Sequence, residues 1–154
     1  MLKKISPLII FLFLVSCGYQ AMHSLENRIN YNFSINEIKF TGNRDINIKI
    51  KNDLNSFYLV KQERNFNLDI ESENKKLVLV KDSKGNSVSF KNILTIKVKI
   101  LNQNKKIDTI SFEETFEYNN NTNKIELRRY EKEIKNNLTE TMVNNLIFEL
   151  SKIR

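Results

Sequence analysis

One cysteine and one histidine in 154 residues leave little from which to build chemistry, and the position of each limits what it can do. Cys17 is the only thiol. It follows Leu14-Val15-Ser16 at the end of an apolar run, the arrangement of a bacterial lipobox, in which the sulfur accepts diacylglycerol and the peptide bond before it is cut. With no second cysteine, an intramolecular disulfide is excluded and the fold must be held by its core. His23 stands in a polar stretch just downstream, where it reads as a solvated side chain rather than a base or metal ligand. Acidic pairs such as Glu113-Glu114 occupy adjacent strand positions, so their side chains point to opposite faces and cannot share a substrate. There is no Cys/His cluster for zinc, no Gly-rich phosphate loop and no G-x-S-x-G elbow. The expectation is a protein that is not an enzyme and carries no metal or cofactor. A glycan hydrolase with widely separated carboxylates is the enzymatic form that this reading has to fear.

What surrounds Cys17 supports the reading of its thiol. Lys3 and Lys4 give a positive start, and Ile5 to Val15 form an apolar stretch broken only by Ser6 and Pro7, which together fit a secretory signal. The run is too short for a transmembrane helix, which needs about 20 apolar residues. Residues 1–16 are therefore expected to be removed. Three acyl chains on Cys17 would hold the remainder at a membrane, since each buried methylene contributes about 0.8 kcal/mol. Gly18 stands where an inner-membrane retention signal would show Asp, which favours the outer membrane, with the protein facing the periplasm.

The formal charge is +7, of which Lys3 and Lys4 carry +2, so the mature chain keeps +5. Export makes nucleic acid a poor partner and anionic lipid headgroups the natural one. Part of the lysine excess also follows the Lys-, Asn- and Ile-rich composition and has no function attached to it. Three Asn-x-Ser/Thr matches, at Asn32, Asn120 and Asn137, are what so Asn-rich a chain produces by chance.

The remaining elements must place these groups. Residues 17–32 read as the lipidated N-terminus and a tether, and 33–154 as one domain. Ile38 and Phe40 alternate with polar residues before Thr41-Gly42-Asn43, a strand ended by a turn. From Asp45 to Tyr58, Ile46, Ile50, Leu54, Phe57 and Tyr58 form a helical stripe with Asn43 as N-cap, although Ile46, Ile48 and Ile50 also alternate as a strand would. Phe66, Leu68 and Ile70 predict one strand, and Leu77 to Val80 another before the turn Asp82 to Asn86. Val88 to Ile100 and Ile110 to Tyr118 predict a long hairpin across Asn102 to Lys106, with Lys97 and Lys99 facing Glu113 and Glu117. Lys124 to Ile153 carries an apolar stripe from Leu127 to Leu150, widened by Val143, Ile147 and Phe148, and is the most secure helix. The expected fold is α+β: an antiparallel four- to five-stranded sheet with two helices packed on one face, in β-α-β-β-β-β-α order.

The lipobox leading into Cys17-Gly18-Tyr19, the strand and turn Ile38-Lys39-Phe40-Thr41-Gly42, and this element order resemble the LptE family of lipopolysaccharide-assembly lipoproteins. The resemblance implies a plug inside the LptD outer-membrane β-barrel that helps the barrel assemble and contacts lipopolysaccharide on its way to the cell surface. No motif of that family transfers lipid-contacting residues onto this chain. Charge alone nominates Lys97 and Lys99 on the outward strand face, with Lys81 and Lys84 beside the neighbouring turn, as a basic patch for lipopolysaccharide phosphates. The rival reading is a solvated face neutralised by Glu113 and Glu117. The alternative function is an accessory lipoprotein of another envelope machine, for outer-membrane protein assembly or lipid transport.

Overall fold

The computed structural model describes residues 31–58, 61–102 and 105–153. Cys17, His23, the leader 1–16 and all but the end of the segment 17–32 lie outside the described residues. Asn32–Arg154 form one compact unit.

Strand β1 (Phe33–Gly42) is followed by helix α1 (Arg44–Leu54), a single 3-10 turn (Asn55–Phe57), and the strands β2 (Arg64–Lys81), β3 (Ser87–Asn102) and β4 (Lys105–Asn119). Helix α2 (Lys124–Lys152) closes the chain. The fold is α+β with one four-stranded sheet in the order β1-β2-β3-β4.

Both helices begin where an asparagine caps them. The Asn43 side chain accepts from the Ile46 amide, and the Asn123 side chain accepts from the amides of Ile125 and Glu126, filling donors that a helix start leaves open. Ile46, Ile50 and Leu54 are fully buried while Ile48 is 48 % exposed, so the helical period wins over the alternating one. The stripe of α2 runs through Leu127, Met142, Val143, Leu146 and Leu150. Phe148, expected to widen it, is 56 % exposed instead, and Lys152 lies over its ring. These stripes cover the sheet face carrying Phe66, Leu68, Ile70, Leu94, Ile96, Val98 and Ile100.

Two expectations are corrected. The sheet is mixed rather than antiparallel, because β1 pairs parallel with β2, from Phe33 opposite Arg64 to Gly42 opposite Ser72. The α1 crossover carries the chain back to the end at which β1 began, as a parallel pair requires. In addition, the two strands expected within residues 66–80 are one strand of 18 residues. The polar stretch Glu71 to Lys76 contains no Gly or Pro to break it, and its alternation continues with Ser72 buried on the helix side.

The ends of the domain meet at Arg64. Its Nε donates to the carbonyl of Asn32, and its Nη1 to the carbonyls of Ser151, at 3.2 Å, and Ile153. The helices are tied by Lys49, which bonds Asp53 at 2.7 Å and Glu140 at 3.4 Å, and by Lys135 bonding Asp45 at 2.9 Å. Burial disfavours a charged Lys49, but the carboxylates of Asp53 and Glu140 outweigh it and hold the ammonium above its ordinary pKa.

Candidate functional site

With both helices on one face, the other face of the sheet is open. Lys97 and Lys99 are exposed there. Lys97 stands between Glu71 on β2 and Ser111 on β4, and Lys99 between Asp69 and Thr109. The carboxylates opposite these lysines thus come from β2, not from Glu113 and Glu117; across β3 and β4 the lysine–glutamate pair is Lys91–Glu117 at 3.4 Å. Same-strand pairs, Lys39–Glu37 and Lys75–Glu73, add to a face on which both signs alternate. Such exposed pairs contribute little to stability. They make the face polar without giving it a strong field.

Lys81 and Lys84 lie elsewhere. Lys81 pairs with Ser87, ten residues along β3 from Lys97, which at about 3.3 Å per residue is roughly 33 Å away. The structure therefore gathers the four lysines into two pairs, one in the middle of the open face and one at the hairpin tip.

The tip is closed by Asp82. Its carboxylate accepts from the amides of Lys84 and Asn86, each at 2.8 Å, and from the Asn86 side chain at 2.9 Å. These bonds hold the Asp82 carboxyl below its ordinary pKa, led by those from Asn86. Gly85 takes φ 84° in the turn, a conformation open to glycine at no steric cost. Next to this turn, Leu77, Val78, Leu79, Val80 and Val88 are 41–52 % exposed. The apolar run from Leu77 to Val80 reads in the sequence as a strand. Its position between Lys75-Lys76 and Lys81 is the one sequence signal that it stands at a surface.

Behind the tip, four elements meet in a cluster that sequence reasoning missed. Lys76 on β2 bonds Glu131 on α2 at 2.6 Å and sits 3.9 Å over the Phe90 ring of β3. The Tyr118 hydroxyl of β4 donates to the same Glu131 oxygen at 2.7 Å. Phe116, Tyr118 and Tyr130 pack with ring centroids 6.0–6.3 Å apart. Burial opposes ionisation of Glu131, yet the bonds from Lys76 and Tyr118 keep its carboxyl below the usual range. Burial first, and Glu131 second, push the Tyr118 phenol well above its ordinary pKa. Beside the cluster lies an open cleft of about 790 Å³ whose wall includes Glu117, Tyr118, Asn121, Glu126 and Tyr130.

The arrangement offers charge, ring faces and amides. Among the described residues no three His, Cys, Asp or Glu side chains are placed to hold a metal ion. The hydroxyls of Ser34, Ser72, Thr139, Thr141 and Ser151 donate to carbonyl or amide oxygens. No helix of the described residues is long and apolar enough to cross a membrane.

No protein-family model matches the chain, and no curated protein matches its sequence. Solved structures do. The fold is similar to that of rare lipoprotein B from Shewanella oneidensis, with TM-score 0.56 and 10 % identity over 75 % of this chain and 94 % of that one. It is similar to a minor lipoprotein from Acinetobacter baumannii, with TM-score 0.58 and 13 % identity over 79 % and 91 %. A third, uncharacterized lipoprotein B from Nitrosomonas europaea, gives 0.56 and 12 % over 75 % and 81 %. The class defined by the fold is thus a small α+β domain that recurs in bacterial lipoproteins.

Proposed function

We propose that this chain is an outer-membrane lipoprotein, anchored through Cys17, that seats in the lumen of an LptD-like β-barrel, helps that barrel assemble and assists lipopolysaccharide transport to the cell surface. The observation that carries the reading is the shared fold with bacterial lipoproteins, in a chain that has a lipobox cysteine upstream of the domain. The open sheet face adds to it. A domain enclosed by a large outer-membrane barrel meets a polar lumen, and a face where Lys97, Lys99, Asp69, Glu71 and Glu113 alternate is compatible with such walls. Lys97 and Lys99, and separately Lys81 and Lys84, are the candidate contacts for lipopolysaccharide phosphates.

The test is affinity purification of the tagged, lipidated protein from detergent-solubilised outer membranes, with mass spectrometry of what stays bound at high salt. A stoichiometric large β-barrel supports the reading. Its absence, with a peripheral periplasmic partner in its place, sinks the reading in favour of an accessory lipoprotein of another envelope machine. A Cys17→Ala chain should leave the membrane fraction. Lipopolysaccharide binding, with its salt dependence, should fall for Lys97→Ala/Lys99→Ala, and unchanged binding removes that pair from the site.

A further inference from the structure

Strand β2 has two neighbours for only a third of its length, from Asn67 to Ser72. Its pairing with β1 ends at Gly42 opposite Ser72, and Gly42 fixes that end: its φ is 90°, and a Cβ there would stand 1.9 Å from the Ser72 carbonyl oxygen. The chain then turns into α1, and the Asn43 amide donates to the same carbonyl at 3.0 Å. Beyond this point, residues 73–81 are paired through β3 alone. From Glu73 to Val78 that pairing is regular, so the opposite edge presents an ordered row of amides and carbonyls. The register slips at Leu79 and again between Val80 and Lys81, and around these slips four successive side chains, Leu77 to Val80, are 45–52 % exposed.

Exposed edges are normally guarded by charge, bulges or proline. The outer edge of β1 carries a bulge between Ile35 and Glu37. The outer edge of β4 carries Lys105, Lys106, Asp108, Glu113, Glu114 and Glu117. The β2 edge is regular from Glu73 to Val78, its irregularities being confined to Leu79 and the Val80/Lys81 step, and it has no charge from Leu77 to Val80, with Lys75, Lys76 and Lys81 flanking that run. Asp82, the nearest carboxylate, is occupied by the turn. Lys81 and Lys84 form no ion pair among the described residues.

We propose that residues 73–81 form a strand-addition site. It takes an extended apolar segment of a partner protein, flanked by Asp or Glu, which pairs with the β2 backbone and packs on Leu77 to Val80 while its acidic flanks meet Lys81 and Lys84 at one end and compete with Glu73 for Lys75 at the other. Two other occupants fit less well. A second copy paired antiparallel about Val78 sets Lys75 against Lys81, like against like. A bilayer supplies no partners for an open strand edge, and such edges do not enter hydrocarbon. Strand addition satisfies the backbone, the apolar side chains and the charge together.

The test titrates the full chain, in detergent, with a synthetic decapeptide of alternating valine and threonine bearing two glutamates at each end, read by fluorescence anisotropy. Binding is expected to weaken with salt, and to be lost when the same peptide is N-methylated along its backbone. It should fall by about tenfold or more in Leu77→Glu/Leu79→Glu, whose side chains are half exposed and whose fold is checked by circular dichroism. Lys81→Glu/Lys84→Glu should prefer the peptide with lysine flanks. Equal binding of the methylated peptide, or no binding of the unmethylated one, overturns the proposal. So does competition by anionic phosphatidylglycerol vesicles, which assigns the tip to a membrane surface, or salt-resistant self-association, which assigns it to a second copy.

Discussion

The base of the domain and its tip are built from the same three long strands but are held by different forces. At the base, α1 and the C-terminal half of α2 press Ile46, Ile50, Leu54, Met142, Leu146 and Leu150 onto Leu68, Ile70, Val98 and Ile100, all at most 2 % exposed. Each such side chain contributes about 1.5–3 kcal/mol through burial, and close packing makes the contribution sensitive to shape. At the tip, Leu127 is the one buried apolar residue of the N-terminal half of α2, and it keeps 7 % of its surface exposed. There the sheet is joined to the helix by Lys76, Glu131, Tyr118 and their ring neighbours. The lesson is a division of labour. The base supplies stability, and the tip, with few buried contacts, belongs to the part of a fold that opens first and can adapt to a partner.

Several perturbations break or sharpen this contrast, the strongest first. Leu146→Ala, in the middle of the base, should cost about 2–5 kcal/mol and lower the urea midpoint of the whole domain. Gly42→Ala forces a side chain into a positive-φ position against the Ser72 carbonyl, and should cost more than about 1 kcal/mol in the same assay. Tyr118→Phe removes the hydroxyl that bonds Glu131 and should cost about 1 kcal/mol. Hydrogen exchange should show its effect as faster opening of residues 73–91 and the start of α2, with the base amides unchanged; uniform loss of protection would erase the distinction between base and tip. Titration separates the regions from another side. Glu131 is held below its unfolded value, so its contribution is present above the ordinary carboxylate pKa and is lost as pH falls through the depressed one. The Tyr118 phenol is raised, so its contribution is complete below about pH 10 and declines as pH rises further. Exchange at the tip should therefore accelerate at both extremes before the base responds. Phe148→Ala, on the exposed side of α2, should stay within about 0.5 kcal/mol.

How much of this was legible follows from what side-chain period can report. Period 3.6 placed a helix over Lys124 to Ile153, of which α2 fills Lys124 to Lys152, and left α1 open between helix and strand until Ile48 proved exposed. Period 2 placed β3 and β4, and Asn43 acts as the cap its position suggested. Period carries no information on partner direction, so the parallel β1–β2 pairing was invisible. Nor does it tell a polar strand from a linker, which is why Glu71 to Lys76 read as a break. The exposure of Leu77 to Val80 was not legible for a similar reason: a hydrophobic run does not record whether a helix reaches far enough to cover it. The candidate lysines were grouped into one patch, which the structure divides into two pairs. Their separation depends on strand length, and strands of 18 and 16 residues are about three times the usual five or six.

The Arg64 clasp has a topological consequence. One guanidinium holds the carbonyl of Asn32 and those of Ser151 and Ile153, so the two ends of the domain lie side by side at the base. Neighbouring ends are the condition under which circular permutation succeeds. A few glycines joining residue 153 to residue 32, with new termini opened in the exposed turn at Ser83-Lys84, should give a chain with the same core and a severed hairpin. That permuted chain would fold without a continuous tip loop and would show whether the long strands need their connection or only their registry.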